Sequence, residues 1–388
     1  MKKINNLKLA LTALFVCATT TALADDSLTW TGYMRAGTGI NSDGGVEGTN
    51  ENYLGRLGNE YNTWVDSKLS KKFTGTNGSY AEILLDAYGW VEDSETSGPW
   101  ASGSSYTTTS DNGSFYIGET SVKFGGLDFL PKDATLKVGY MGLTEDIHVL
   151  DYKFKNVGGT GAVYNSNTSN KLQLAAFVNE DRGTQAVDGE YSIGNIDTKL
   201  TVSQKLTNSD SSISAMVAYN QKKMLGILPG STKYIAQYGI GVTAGNVSKN
   251  YVDNKDGSGY RFIVDGHSSI GKLALNPVLW VEGTNFGDDS LKNYSSITAG
   301  GRISQGITNN LEFMCEAFVN NVENKSGTDT NDGNQYKIAA GPAIQLDLGE
   351  WVRPVARFTV TYIGGDKVIT GLTKDSEFRL GTQFEAWF

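Results

Sequence analysis

Apolar side chains recur at every second position over much of this chain, a period that belongs to strands and not to helices. At the C-terminus Phe378, Leu380, Thr382, Phe384, Ala386 and Phe388 share one parity, and Glu377, Arg379, Gly381, Gln383, Glu385 and Trp387 share the other. Val352, Pro354, Ala356, Phe358, Val360 and Tyr362 divide in the same way from Trp351, Arg353, Arg357, Thr359 and Thr361. So do Trp30, Met34 and Ile40 from Tyr33 and Arg35, and Ile83, Leu85, Ala87 and Val91 from Glu82, Asp86, Tyr88 and Glu92. Polar, glycine-rich stretches at 42–52, 94–112, 253–259 and 321–334 separate the runs. The pattern predicts an all-β chain of antiparallel strands, about ten residues each, joined by alternating short turns and long polar loops.

Two architectures carry such alternation, a soluble sandwich and a transmembrane barrel. The polar parity decides for the barrel: it is heavily charged yet holds isolated large aromatics, which a solvated sandwich face does not need. The last strand also ends in Trp387-Phe388, the aromatic terminus that barrel-assembly machinery reads in outer-membrane proteins. At roughly 20 residues per strand and connection the chain makes about 18 strands, with 16 the neighbouring even number, and a barrel of that size keeps an aqueous lumen.

The first residues fit this destination. Met1-Lys2-Lys3, an apolar run from Leu9 to Val16 and Ala22-Leu23-Ala24 before Asp25 read as a secretory signal peptide over 1–24, with 25–388 as one barrel domain. Cys17 follows Phe15-Val16 and not a small residue, which argues against lipid anchoring. Cleavage after Ala24 removes three lysines and no acid, taking the net charge from −9 to −12. It also leaves Cys315 as the single cysteine, so no internal disulfide forms. No later stretch has the roughly 18 consecutive apolar residues a transmembrane helix needs, so crossing a membrane requires a closed barrel.

Charge and chemistry exclude more than they assign. The acidic balance argues against a nucleic-acid partner. Two histidines, His148 and His267, cannot build a His-rich zinc site and make a Ser/His/Asp triad a poor candidate. With no nucleophile elbow either, an outer-membrane enzyme ranks last among the functions, and no cofactor is expected. Asp329-Thr330-Asn331-Asp332-Gly333 has calcium-binding residue types, although solvated turns have the same composition.

The parity assigns the aromatics. Tyr33 falls on a face with Arg35, Trp64 with Glu60, Asn62, Asp66 and Lys68, Trp351 with Arg353 and Arg357, and Trp387 with Gln383 and Glu385. Large rings beside charges in a water channel suit a pyranose, whose C–H face packs on a ring while its hydroxyls bond to charged neighbours. Girdle residues shifted to the wrong parity by a bulge are the competing reading.

Gly32-Tyr33-Met34-Arg35-Ala36-Gly37, Gly55-Arg56-Leu57-Gly58-Asn59-Glu60-Tyr61, Trp351-Val352-Arg353-Pro354-Val355-Ala356-Arg357-Phe358 and the terminal Gln383-Phe384-Glu385-Ala386-Trp387-Phe388 resemble the maltoporin family of carbohydrate porins. The likeness is close over 28–70 and 334–388, loose over 119–163 and slight in the middle. It implies a homotrimer of 18-stranded barrels in the outer membrane of a Gram-negative bacterium, each narrowed by an inward-folded third loop and moving oligosaccharide by passive diffusion. It also implies a slide of aromatics at Tyr33, Trp64, Trp351 and Trp387, with Trp100 as candidate for the ring donated by a neighbouring subunit. A polar track would follow Arg35, Arg56 and Asp66, and a constriction would hold Asp146, His148, Asp151 and Lys153. Lys153 stands where maltoporins proper carry a tyrosine, Thr144 where they carry an arginine, and Ser231 where they carry a mid-channel phenylalanine. Leu150-Asp151-Tyr152-Lys153 is closer to the family's β-glucoside porins, although their long N-terminal extension is absent here. The expected substrate is therefore an oligosaccharide or a β-glucoside, with a general diffusion porin lacking sugar preference as the alternative.

Overall fold

The computed structural model describes residues 28–41, 54–60, 63–91, 113–150, 152–167, 170–247, 249–253, 256–285, 293–326, 329–330, 332–347, 354–370, 372 and 374–388. The expected signal peptide lies outside these residues.

The first half of the chain forms β1 (Leu28–Asn41), β2 (Thr63–Thr74), β3 (Tyr80–Val91), β4 (Gly113–Gly125), β5 (Ala134–Ile147), β6 (Tyr152–Asn167), β7 (Lys171–Asn179), β8 (Thr184–Ile193) and β9 (Ile196–Lys205). The second forms β10 (Ser211–Met224), β11 (Leu228–Ile240), β12 (Ser258–Ile270), β13 (Leu273–Asn285), β14 (Asn293–Gly306), β15 (Leu311–Ser326), β16 (Asp329–Thr330), β17 (Gly333–Gln345), β18 (Val355–Gly365) and β19 (Ser376–Trp387). Every pairing between these strands is antiparallel, and β1 pairs with both β2 and β19, which closes the sheet on itself. The two-residue β16 only extends the β15 hairpin, so 18 strands build the wall. Closure leaves no open sheet edge among the described strands.

Most strands run past the expected ten residues, up to 16 in β6 and β15. Tilted strands need only about 9–11 residues to cross a hydrocarbon layer, so the longer ones project beyond it. The connections alternate as the sequence suggests. Residues 194–195 and 271–272 join strands at one end, while 42–62, 92–112 and 241–257 join them at the other. Gly194 takes φ +60 and Gly271 φ +61, the left-handed geometry such tight turns require. The start of β1 and the end of β19 lie with the short turns, where Gly32 and Phe388 exchange backbone hydrogen bonds of 2.8 and 3.1 Å.

The outer face is a continuous apolar surface; Val217, Ile338, Phe358, Val360 and Leu380 are all exposed. Their neighbours of the other parity, among them Lys337, Thr361, Arg379 and Glu385, are buried. The inner parity, however, is not polar all the way round. Met216, Ala218, Ile235, Ile263, Val278, Trp280, Phe318 and Ile363 point inward and form one buried cluster with Leu54, Ile147, Val149, Leu150 and Phe154. Leu54, Val149 and Leu150, in connections between strands, therefore pack against the wall from within together with Ile147 and Phe154 near the tips of β5 and β6, and the apolar area they cover is the barrel's interior core.

Candidate functional site

Strand register brings five of the sequence-selected residues side by side. Tyr33 of β1 faces Asp66 of β2 on one side and Trp387 of β19 on the other, while Arg35 faces Trp64 and Glu385. Positions two apart on one strand share a face, so these residues make one patch on the inner wall. The rings of Tyr33 and Trp387 lie 5.6 Å apart.

Residues 54–60, between β1 and β2, reach this patch. Gly55 and Gly58 both have positive φ, which folds the backbone tightly and presents Arg56 between them. The Arg56 guanidinium donates to Glu60 at 2.6 Å and, through Nη2, to the Tyr33 hydroxyl and Glu385, both at 3.2 Å. Its Nη1 lies 3.0 Å from Nδ1 of His148. Tyr33 donates to Glu385 at 2.9 Å, and Arg357 donates to Glu385 at 2.6 Å and Gln383 at 2.9 Å. Arg35 and Gln383 both contact Glu60. Burial alone would raise the Glu60 carboxyl, but the Arg56 and then the Arg35 guanidinium override it and hold the group below the usual carboxylate range. Three guanidiniums thus share two carboxylates, leaving the patch rich in N–H donors.

A second aromatic row continues from Trp64. Its ring stacks on Tyr88 at 5.3 Å with an interplanar angle of 11°, and Tyr88 stacks on Tyr116 at 5.7 Å. His148 lies in the turn after β5, its ring 6.2 Å from that of Trp387. Asp146 and Lys153 are register partners across β5 and β6, next to a bulge between Glu145 and Asp146. Lys153 and Asp146 are both exposed. Trp100, Asp151, Trp351 and Arg353 lie outside the described residues.

Tyr88 and Tyr116 were not among the sequence-selected rings. Tyr88 shares a parity with Asp86, the same signal that selects Trp64, but the bulge at Asp86/Ala87 shifts its β4 partner by one residue. Glu60, Gln383 and Glu385 appeared only as companions of rings, whereas the structure makes the two glutamates the hubs of the network. Among the described residues no group of three or more His, Cys, Asp or Glu side chains is arranged to hold a metal ion.

Comparisons with known proteins agree with this geometry. A family model described as LamB porin matches residues 28–388. The chain is similar to Maltoporin 1 of Aeromonas salmonicida, 22% identical over 98% of this chain and 99% of that one. It is likewise similar to Maltoporin 1 of Klebsiella pneumoniae, 27% identical over 92% of each. A maltoporin of Vibrio cholerae is 25% identical over 98% of this chain and 100% of its own length. Among solved structures, Pseudomonas aeruginosa OccK2 (OpdF) superposes with a TM-score of 0.52 at 11% identity, covering 94% of this chain and 98% of that one. OpdK of the same organism, solved with vanillate, gives 0.51 at 10%, covering 93% and 99%. At such identities the structural likeness speaks for the barrel fold alone.

Proposed function

The chain belongs to the LamB porin family of outer-membrane sugar porins, and from that premise we propose that sugar moves along the β19–β1–β2 wall, stacked on Tyr33, Trp64 and Trp387 and hydrogen-bonded by Arg35, Arg56 and Asp66. The observation that carries this reading is the register that sets all three rings within one patch of charged groups. A pyranose laid on the rings presents its hydroxyls edge-on to the guanidiniums and carboxylates. Each contact is weak and the next is close, which is what fast passage needs. Transport is passive, down the concentration gradient, and the porin family and porin-like barrel point to a channel rather than an enzyme.

Tyr88 and Tyr116 extend the row of stacking surfaces in this reading. Residues 54–60 and the turn at His148 narrow the path, and Asp146, Asp151 and Lys153 set its charge. The Leu150-Asp151-Tyr152-Lys153 sequence favours β-glucosides or mixed oligosaccharides over linear maltodextrins, because an ammonium in place of a ring trades stacking for hydroxyl bonding. The assembly is a homotrimer, with Trp100 as the ring contributed to a neighbour's channel and Trp351 completing the slide.

Single-channel recording of the purified protein, titrated with maltose-series sugars, sucrose and β-glucosides, tests the proposal. Saturable block by at least one sugar class, weakened in Trp387→Ala, is expected. Linear, sugar-independent conductance in wild type and variant alike would establish the general diffusion porin instead. Migration as a heat-modifiable oligomer on a denaturing gel tests the trimer, and cross-linking to monomer only in mild detergent would refute it.

A further inference from the structure

We propose that the buried triad Arg302–Glu316–Lys337, on the strands that follow β19 and β18 round the wall from β1, is a positioning clamp that holds Arg56 in the permeation path. Its three side chains come from β14, β15 and β17, and Glu316 and Lys337 are both wholly inaccessible. Arg302 donates to Glu316 Oε2 through Nε at 2.9 Å and Nη2 at 2.7 Å. Lys337 donates to Glu316 Oε1 at 2.9 Å. The remaining capacity of the triad is spent on residues 54–60. Lys337 Nζ donates to the carbonyls of Gly55 at 2.7 Å and Leu57 at 2.8 Å, and Glu316 Oε1 accepts the N–H of Leu57 at 2.9 Å.

Those contacts bracket Arg56, whose own N–H donates to the carbonyl of Val149 at 2.9 Å. Its backbone is thus held on both sides, and its side chain crosses to Tyr33, Glu60 and Glu385. The seat is shaped as well as charged. Leu57 packs with Met314, Ala339, Ala343 and Val355. A Cβ on Gly55 would collide with the Glu316 carboxylate, and one on Gly58 with the Thr361 hydroxyl. The wall has no need of these charges, because β14, β15 and β17 already pair along their lengths. A buried ammonium aimed at two loop carbonyls is satisfied only while the loop is seated, so the triad couples the seat to the path.

The clamp deepens the sugar-path reading and rests on it only for its effect on sugar, so salt conductance and sugar block are measured together on the full protein in planar bilayers. Lys337→Met and Gly58→Val unseat residues 54–60 in different ways, one by charge and one by shape. Both are expected to raise salt conductance and to shift ion selectivity in the direction that Arg56→Met does. Both should weaken sugar block by about tenfold, as Arg56→Met should, since a hydrogen bond to a charged group is worth roughly that factor. Combining Lys337→Met with Arg56→Met should add nothing further, which a merely structural role would not produce. If Lys337→Met does not assemble, Gly58→Val, which leaves every charge in place, carries the test. Unchanged conductance and block in a folded seat variant, or full additivity with Arg56→Met, would overturn the clamp. Raised salt conductance in both seat variants, with sugar block indifferent to Arg56→Met, would support the clamp and sink the sugar path.

Discussion

Two walls of the same lumen follow one alternation and end up chemically unlike. On β19, β1 and β2 the inner parity carries rings and charges, with Arg35, Arg56 and Arg357 shared between Glu60 and Glu385. On β10 to β13 it carries Met216, Ala218, Ile235, Ile263, Val278 and Trp280, covered by Val149, Leu150 and Phe154. A charge on the covered side is paired: Arg261 with Glu282 at 2.9 Å. The outer faces of both walls expose apolar side chains, such as Val65 and Phe384 on one and Val217 and Phe262 on the other. What differs is whether the chain returns to cover the inside, because a covered wall is a core and must be apolar or paired, while an open one can leave donors available.

The largest effect that would sharpen this contrast is on stability. Trp280→Ala empties a fully buried position and breaks the hydrogen bond to Glu282, so it should cost about 3–5 kcal/mol and lower the unfolding midpoint while leaving sugar block in the surviving barrels unchanged. A matched loss of sugar affinity would mean the two walls are not separate. Next in size is Glu385→Gln, which removes the charge facing Arg56 and Arg357; at about 1.5–3 kcal/mol for hydrogen bonds to charged groups, the open wall should become anion-favouring in reversal-potential measurements. Trp64→Ala should weaken sugar block by about 1 kcal/mol, with the same unfolding midpoint as wild type.

Acidification probes the open wall in another way. Glu60 titrates lower in the folded protein than when unfolded, so its contribution is complete above the ordinary carboxylate value of about 4.3 and is lost as pH falls through the lowered folded value. Sugar block should be flat from neutrality down to about pH 4.5 and should decline only below it; an earlier decline would place the controlling group elsewhere. The smallest effect belongs to Lys153. It is exposed, so any ion pair it makes is worth about 1 kcal/mol or less, and Lys153→Ala should alter ion selectivity without touching stability. Lys153→Tyr should move preference toward linear maltodextrins, and indifference of both variants would remove Lys153 from the path.

The open wall was legible in the sequence because its parity is set by two solvents, and the set Tyr33, Arg35, Trp64 and Trp387 needed only a period of two to be collected. The Gly55-Arg56-Leu57-Gly58-Asn59-Glu60 block announced a built turn, though not where it would dock. Tyr116 escaped because a single bulge breaks the count on its own strand. The covered wall was not legible. Ile235 and Ile263 read alike whether they face lipid or a returning loop, and only the packing of Val149, Leu150 and Phe154 against them decides between the two. Strand count came from length alone, and the long tips of β6 and β15 show why ten residues per strand was too few.

The seam between β1 and β19 has a kinetic consequence. The hydrogen bond from Tyr33 to Glu385 joins residues 352 apart in sequence, whereas every other neighbouring pair of long strands is consecutive along the chain apart from the small β16 excursion. Hairpins can therefore form in order, but the cylinder cannot lock until its last strand arrives. Because contacts of such separation slow folding, closure is the step at which an assembling molecule waits with two open edges. Tyr33, Trp387 and Glu385 all sit on that seam, so the proposed path for sugar comes into being with the final pairing and at no earlier stage.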